Sequence, residues 1–183
     1  MIEVRSGNLI DLFNPDPNKL LLSDISAALA RICRFGGHTE YFYSVLHHSL
    51  NCYYESRDRG YDYETQRMAL AHDFTEAFIG DSVKPLKIHL ETYNKIEEIF
   101  REIIYKKYSI CGDYDKLKDV DYDMSIFEAR WMMKSKGEDS RWDEPSRQNP
   151  SLFVEDRIRL PQSESNIIKE FNQICDELRI FDK

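Results

Sequence analysis

Apolar side chains recur every three to four residues along most of this 183-residue chain, which is the spacing of one face of an α-helix. The pattern is clearest from Leu90 to Ile104 and from Leu117 to Trp131. Only 7 Gly and 6 Pro interrupt the chain, too few for the turns of a β-sandwich, and no fixed-period repeat indicates a solenoid. These features predict a compact all-α bundle of about six or more helices.

Capping and turn residues predict where the helices begin and end. We expect helices from Ser23 or Asp24 to Gly36-Gly37, from about Ser44 to Arg59, from near Tyr63 to Gly80, from about Leu90 to Cys111-Gly112, from about Tyr114 to Lys134 and from Ser163 to Phe181. Residues 1–22 are predicted to form a short extended segment or hairpin that covers the core, and residues 135–162 a polar loop or lid. Residues 1–183 are predicted to form one domain.

Composition excludes several classes of function. With 25 Lys+Arg against 33 Asp+Glu, the net charge of −8 disfavours binding to a long nucleic acid. No apolar run approaches the roughly 20 residues that cross a bilayer, and the first residues lack the pattern of a signal peptide. The four cysteines form no CxxC pair, so neither a disulfide framework nor a thiolate zinc site is indicated. We therefore expect a cytoplasmic protein that binds neither membranes nor long nucleic acids.

Four metal-ligand side chains interrupt the apolar stripes of three predicted helices. They are His48, His72, Asp73 and Asp121. A lone inward His is more often a hydrogen-bonded core residue, and a lone inward Asp a cap or ion-pair member. Together, however, two imidazoles and two carboxylates form the donor set that suits zinc, cobalt, manganese or iron. Glu76 follows His72 by four residues, which places a further carboxylate beside the ion, unless it is only a solvated charge.

The order of these residues resembles the H…HD…D signature of the HD-domain metal-dependent phosphohydrolases, an all-helical family. Two segments, RICRFGGHTEYFYSVLHHSL and ALAHDFTEAFIGDSVKPLK, resemble the first-ligand region and the HDxxE…GDxxxPxK region of the nucleotidase branch. In DVDYDMSIFEARWMM, an Asp seven residues before Glu-Ala-Arg selects Asp121. Within that branch the chain is similar to bacterial 5′-deoxynucleotidases and to smaller phage enzymes, some of which are dATP triphosphohydrolases.

The resemblance implies roles for particular residues. The implied metal ligands are His48, His72, Asp73 and Asp121. Glu76 would act in catalysis beside the ion, and Asp81 would be a second catalytic or sugar-orienting acid. Lys84 and Lys87 fall in the segment expected near phosphate, and Arg34 in the segment expected near the nucleotide. The resemblance also implies a homo-oligomer.

The sequence gives less information on recognition of the base than on any other part of the predicted site. Phe35 is the one aromatic that we retain as a stacking candidate, since most aromatics belong to the core. The Arg-Phe-Gly-Gly run and the short interval from His72 to Asp121 favour the phage type of enzyme, which would place the protein in the host cytoplasm.

The predicted chemistry is hydrolysis at the phosphorus next to the 5′-oxygen. A divalent ion lowers the pKa of bound water from 15.7 to about 7 and polarises a phosphoryl oxygen. A triphosphate substrate could recruit a second ion, Mg²⁺. We expect a dATP or dNTP triphosphohydrolase that releases deoxynucleoside and triphosphate. The alternatives are a 5′-deoxynucleotidase acting on monophosphates, a catalytically inert metal-holding nucleotide sensor, and a helical interaction protein without metal.

Overall fold

The computed structural model describes residues 1–136, 145–147 and 149–182, and it confirms the predicted all-α bundle. The α-helices of this part of the chain are α1 (Leu22–Leu29), α2 (Val45–Asp58), α3 (Tyr63–Ala71), α4 (Glu76–Ile79), α5 (Lys84–Lys87), α6 (Glu91–Tyr108), α7 (Tyr114–Met132), α8 (Leu152–Arg159) and α9 (Glu164–Glu177). None of the helices in the described ranges combines the length and the hydrophobicity needed to cross a bilayer.

The predicted N-terminal extended segment is a two-stranded hairpin. Strand β1 (Ile2–Glu3) pairs antiparallel with β2 (Leu9–Ile10). In the connecting turn, Ser6 donates two hydrogen bonds of 2.8 Å to Asp24 of α1, one from its backbone and one from its hydroxyl. The hairpin is therefore held on the first helix of the bundle.

Helix α2 is the central element, since it contacts α3, α7, α8 and α9 and its residues 45–56 are all buried. Ser44 caps it by accepting a hydrogen bond from the His47 amide, and the His47 ring accepts one in return from the Ser44 amide. This reciprocal cap fixes the first turn of α2. His48 lies in that first turn, and its neighbours in the chain on both sides are buried.

The first predicted helix ends earlier than expected. Helix α1 stops at Leu29 rather than at Gly37, because residues 32–34 pair with residues 43–45 as extended backbone. Cys33 forms an antiparallel bridge with Ser44. Residues 34–37 then form a tight 3-10 turn in which Phe35 has φ of 55°, a left-handed conformation that excludes a continuous helix.

The third predicted helix is two helices. Helix α3 ends at Ala71, and residues 72–75 form a tight turn with i→i+3 hydrogen bonds before α4 begins at Glu76. The Nδ1 atom of His72 donates to the Ala69 carbonyl at 2.8 Å. The His72-Asp73 pair therefore lies in a turn and not within a helix.

The predicted loop at residues 135–162 contains helix α8, which is capped by Ser151. Two fully buried carboxylates hold the stretch that precedes it: Glu55 accepts from Arg147 and from the Ser151 amide, and Asp123 accepts from Ser146. The remainder of that prediction, at residues 137–144 and 148, lies outside the described residues.

Candidate metal centre

Two imidazoles meet between α2 and the end of α3. His48 is fully buried, and its Nε2 atom lies 3.3 Å from Nε2 of His72. Cys52, one turn after His48, completes a group of three residues whose ligand atoms all lie within 4.8 Å of one another. This His48–Cys52–His72 group could hold a metal ion.

Both imidazoles direct Nε2 to this point, and that nitrogen can bind a cation when the ring is neutral. His48 donates from Nδ1 to the Glu128 carboxylate at 2.7 Å, and His72 donates from Nδ1 to the Ala69 carbonyl at 2.8 Å. In a neutral imidazole the other nitrogen then carries the lone pair. Two Nε2 lone pairs 3.3 Å apart repel each other unless a proton or a cation lies between them.

Two carboxylates reach the same point, one from the turn after α3 and one from α7. Asp121 Oδ1 lies 3.1 Å from His48 Nε2 and 3.9 Å from His72 Nε2. Asp73 Oδ2 lies 3.3 Å from His72 Nε2 and 3.8 Å from His48 Nε2. Ligands at 2.0–2.1 Å from a tetrahedral zinc ion are separated by about 3.3 Å, so these distances fit one shared ion. Asp73 Oδ2 is buried and has no hydrogen-bond partner among the described residues. A buried carboxylate oxygen is unfavourable in that state unless it binds a cation.

Asp73 and Asp121 are better placed than Cys52 to complete the donor set. The Cys52 sulfur lies 3.5 Å from Nε2 and 3.9 Å from Nδ1 of His48, so it sits beside the ring rather than along the Nε2 lone pair. In the metal-free protein, burial raises the pKa of the Cys52 thiol to about 11. We therefore take the two imidazoles and the two carboxylates as the ligand set.

In the metal-free protein these four groups form a charged cluster. Burial opposes charge on Asp73, but the adjacent His72 lowers the pKa of its carboxyl to about 2. Burial likewise opposes charge on Asp121, and its contact with His48 lowers its pKa further still. Burial and Arg34 disfavour charge on His48 too, yet Cys52, Glu128 and Asp121 raise its pKa well above the usual value. The same balance, led by Asp73, raises the pKa of His72.

Glu128 is a functional candidate that our sequence reasoning missed. Its fully buried carboxylate accepts from His48 Nδ1 at 2.7 Å, from the Tyr43 hydroxyl at 3.0 Å and from Arg34 at 3.4 Å. The available signal was the Glu of the Glu-Ala-Arg run, seven residues and thus two turns after Asp121. A carboxylate behind a ligating His fixes its tautomer and ring orientation.

The charge of Asp73 acts on both predicted catalytic acids. Glu76 is 5% exposed, and its Oε2 atom has no hydrogen-bond partner among the described residues. Burial, reinforced by the charges of Asp73 and Asp81, raises the pKa of Glu76 well above its usual value. Burial also raises the pKa of Asp81. In the metal-free protein the surroundings of Glu76 thus favour its protonated form.

Two of the residues predicted to bind the nucleotide, Arg34 and Lys84, contact side chains of α7. Arg34 donates to Ser125 and Glu128 of α7, and its guanidinium carbon lies 5.4 Å from the centre of the Phe35 ring. Lys84 lies over the Tyr122 ring at 5.8 Å.

Lys87, by contrast, lines a cavity of about 150 Å³ that also touches His72, Asp73 and Asp121. Arg101 and Lys118 lie in the same cavity wall, and our sequence reasoning did not single them out. A larger cavity of about 430 Å³, between Trp131 and Pro150, touches none of the ligands.

Comparison with known proteins does not assign a reaction. No protein-family model matches the chain. It is 37% identical over 100 residues to the uncharacterized protein YfdR of Escherichia coli K12, an alignment that covers 55% of this chain and 52% of that protein. It is 35% identical over 86 residues to the uncharacterized protein RCAP_rcc00048 of Rhodobacter capsulatus, covering 45% and 44% respectively. The chain thus spans about half the length of the curated relatives it matches.

Proposed function

We propose that this protein is a metal-dependent phosphohydrolase of the HD-domain type that acts on deoxynucleotides. The observation that carries this proposal is the convergence of His48, His72, Asp73 and Asp121 from three segments, with donor atoms 3.1–3.9 Å apart. The mixed nitrogen and oxygen donors suit Zn²⁺, Co²⁺ or Mn²⁺.

The surrounding residues supply what hydrolysis of a phosphate ester needs. When bound, a divalent ion provides an activated water and polarises a phosphoryl oxygen. To Glu76, a buried carboxyl whose pKa is raised, we assign the role of the general acid that protonates the 5′-oxygen of the leaving nucleoside. Arg34 offsets phosphate charge from the side of α7 that carries Glu128, and Asp81 orients the sugar.

The primary form of the proposal is a dATP or dNTP triphosphohydrolase, and a 5′-deoxynucleotidase is the alternative. Elemental analysis of the purified protein, combined with a panel of nucleoside mono- and triphosphates and chromatographic separation of the products, tests both. Release of deoxynucleoside and triphosphate identifies the first, and release of phosphate from monophosphates identifies the second. A protein that holds metal and nucleotide without turnover would be a sensor, and one without metal would be neither.

Two variants separate metal binding from chemistry. Asp121→Ala should lose both metal and activity, because it removes a ligand. Glu76→Gln should keep the metal and lose turnover by about 10²- to 10⁴-fold, the usual contribution of a general acid or base. Asp119→Ala is the matched control, because Asp119 is exposed two residues before Asp121 on the same helix. Metal content and rates at the level of the unsubstituted protein in Asp121→Ala would refute the ligand assignment.

A further inference from the structure

The 150 Å³ cavity beside the metal centre has a wall of cations that the proposed chemistry has not used. The cavity opens between α6 and α7 and has His72, Asp73 and Asp121 on one side. Arg101 of α6 and Lys118 of α7 lie in its wall, with Lys87 at the end of α5.

The charge of this cavity favours an anion once the centre holds its ion. A divalent cation offsets the two aspartates, which leaves the Glu97 carboxylate against the three cations of Lys87, Arg101 and Lys118. Glu97 pairs with Lys87 at 2.6 Å. Among the described residues, Arg101 and Lys118 form ion pairs only with solvent-exposed carboxylates of their own helices, Glu98 and Asp115, and such surface pairs are weak. An excess of positive charge is notable in a chain whose net charge is −8.

The cavity and Arg34 approach the centre from opposite directions along α7. Arg34 contacts Ser125, four residues after Asp121, whereas Lys118 precedes Asp121 by three. Because a helix rises 1.5 Å per residue, Lys118 and Ser125 are separated by about 10 Å along the axis. A phosphate chain whose first phosphorus lies at the ion can therefore have its nucleoside end toward Arg34 and its far end toward Lys118.

We propose that Arg101 and Lys118 form a subsite for the second and third phosphates of a nucleoside triphosphate. This inference rests on the proposed function, because it takes the reaction at the metal centre to be hydrolysis of a nucleoside triphosphate. Water attacks the phosphorus that is attached to the 5′-oxygen. The bond between that phosphorus and the 5′-oxygen breaks, and the 5′-oxygen takes up a proton and leaves as part of the nucleoside. The water oxygen stays on the released triphosphate, which the subsite holds. A monophosphate does not extend into this subsite.

Inorganic triphosphate is the probe that tests the subsite without turnover. Its affinity for the metal-loaded protein is measured by titration calorimetry for the unsubstituted chain, Arg101→Gln, Lys118→Gln and the double variant. We expect each single variant to bind triphosphate about 10-fold more weakly, the loss typical of one charge-assisted hydrogen bond, and to bind orthophosphate unchanged. Both side chains reach solvent, so neither substitution opens the core. Lys106→Gln, an exposed cation of α6 outside the cavity, is the control.

The kinetic counterpart is a selective rise in KM for deoxynucleoside triphosphates, with the KM for monophosphates unchanged. Equal binding of inorganic triphosphate by the unsubstituted protein, Arg101→Gln and Lys118→Gln overturns the subsite, as does an equal loss of orthophosphate and triphosphate binding. If triphosphate binding depends on both residues but no nucleotide is hydrolysed, the anion subsite stands and the proposed function fails.

Discussion

At the scale of single residues, Glu128 joins the two halves of the candidate site. One of its oxygens accepts from the ligand His48 and from Tyr43, and the other accepts from Arg34. Burial disfavours its charge, but His48 and Arg34 lower its pKa, so Glu128 is an anion in the core. A buried carboxylate with this set of partners holds His48 and Arg34 in place, the residues proposed to bind the metal and the nucleotide.

Glu128→Gln should weaken metal binding by about 10- to 100-fold, the usual cost of removing a carboxylate behind a ligating His. The amide is isosteric, but it lacks the charge that supports His48 and Arg34. The metal dissociation constant, measured by competition with a chromophoric chelator, checks this expectation.

Ser125→Ala is the control for that measurement, because it removes the other partner of Arg34 and leaves His48 untouched. It should raise the KM for the nucleotide without changing metal affinity. Equal metal affinity in Glu128→Gln and the unsubstituted protein would show that Glu128 does not position His48.

The sequence singled out the four candidate ligands because a polar side chain within an apolar stripe is conspicuous. It could not assign Glu128, whose partners His48 and Tyr43 lie 80 and 85 residues away in the chain. Nor could it select Arg101 or Lys118, since each occupies the polar face of its helix, where a cation is ordinarily solvated. Only the tertiary fold, which brings residues of α6 and α7 to the same cavity, places them in one cavity wall.

At the scale of elements, the interruption between α3 and α4 was the least predictable feature near the site. The apolar residues Leu70, Phe74 and Phe78 continue a helical spacing across it, and all three are buried. The tight turn is defined by i→i+3 hydrogen bonds and by the His72 ring on the Ala69 carbonyl. Such local contacts leave the period of the sequence unchanged, so the pattern alone predicted one helix.

The position of His48 depends most directly on the start of helix α2, because His48 lies in its first turn. Ser44→Ala removes the hydroxyl that accepts from the His47 amide and leaves that amide buried without its partner. We expect the free energy of unfolding to fall by about 1–2 kcal/mol, the range for loss of an N-cap. Urea denaturation of the metal-free protein measures this loss.

Ser163→Ala is the matched comparison, because Ser163 caps α9 at an exposed position far along the chain from the ligands. It should cost about 1 kcal/mol and leave metal affinity unchanged. Ser44→Ala should also weaken metal binding, since His48 lies in the turn that the cap fixes. If the two variants have the same metal affinity, the cap of α2 does not position His48.

At the scale of the whole molecule, the sequence predicted the helical bundle. It did not predict the free-energy cost of bringing the charged groups of the site together. The apolar period sets which faces are buried, and it predicted the bundle, α2, α6 and α7 closely. It carries no information on how strongly protons bind to the cluster formed by His48, His72 and Glu76. That property arises only when the bundle brings the charges of α2, α7 and the α3–α4 turn together.

The metal-free protein should therefore lose stability as the pH rises above about 6.5, the ordinary pKa of histidine. The folded state raises the pKa of His48, His72 and Glu76, so in this range it binds more protons than the unfolded chain. The stability from the two histidines is complete below their unfolded pKa and is lost as the pH passes through their raised values. Asp73 and Asp121 act oppositely, because their lowered pKa values stabilise the fold above about pH 4 and cease to do so in acid.

Thermal unfolding in the presence of a chelator, across this pH range, measures the effect. Added Zn²⁺ should reverse the slope, because metal binding requires deprotonated imidazoles and strengthens as the pH rises. Glu76→Gln should make the chelated profile less steep, since it removes a carboxyl whose pKa, like that of Asp81, is raised by burial and by the charge of Asp73. A melting temperature that rises with pH in the chelated protein would mean that the imidazoles and carboxylates of the cluster are not coupled as their 3.1–3.9 Å separations require.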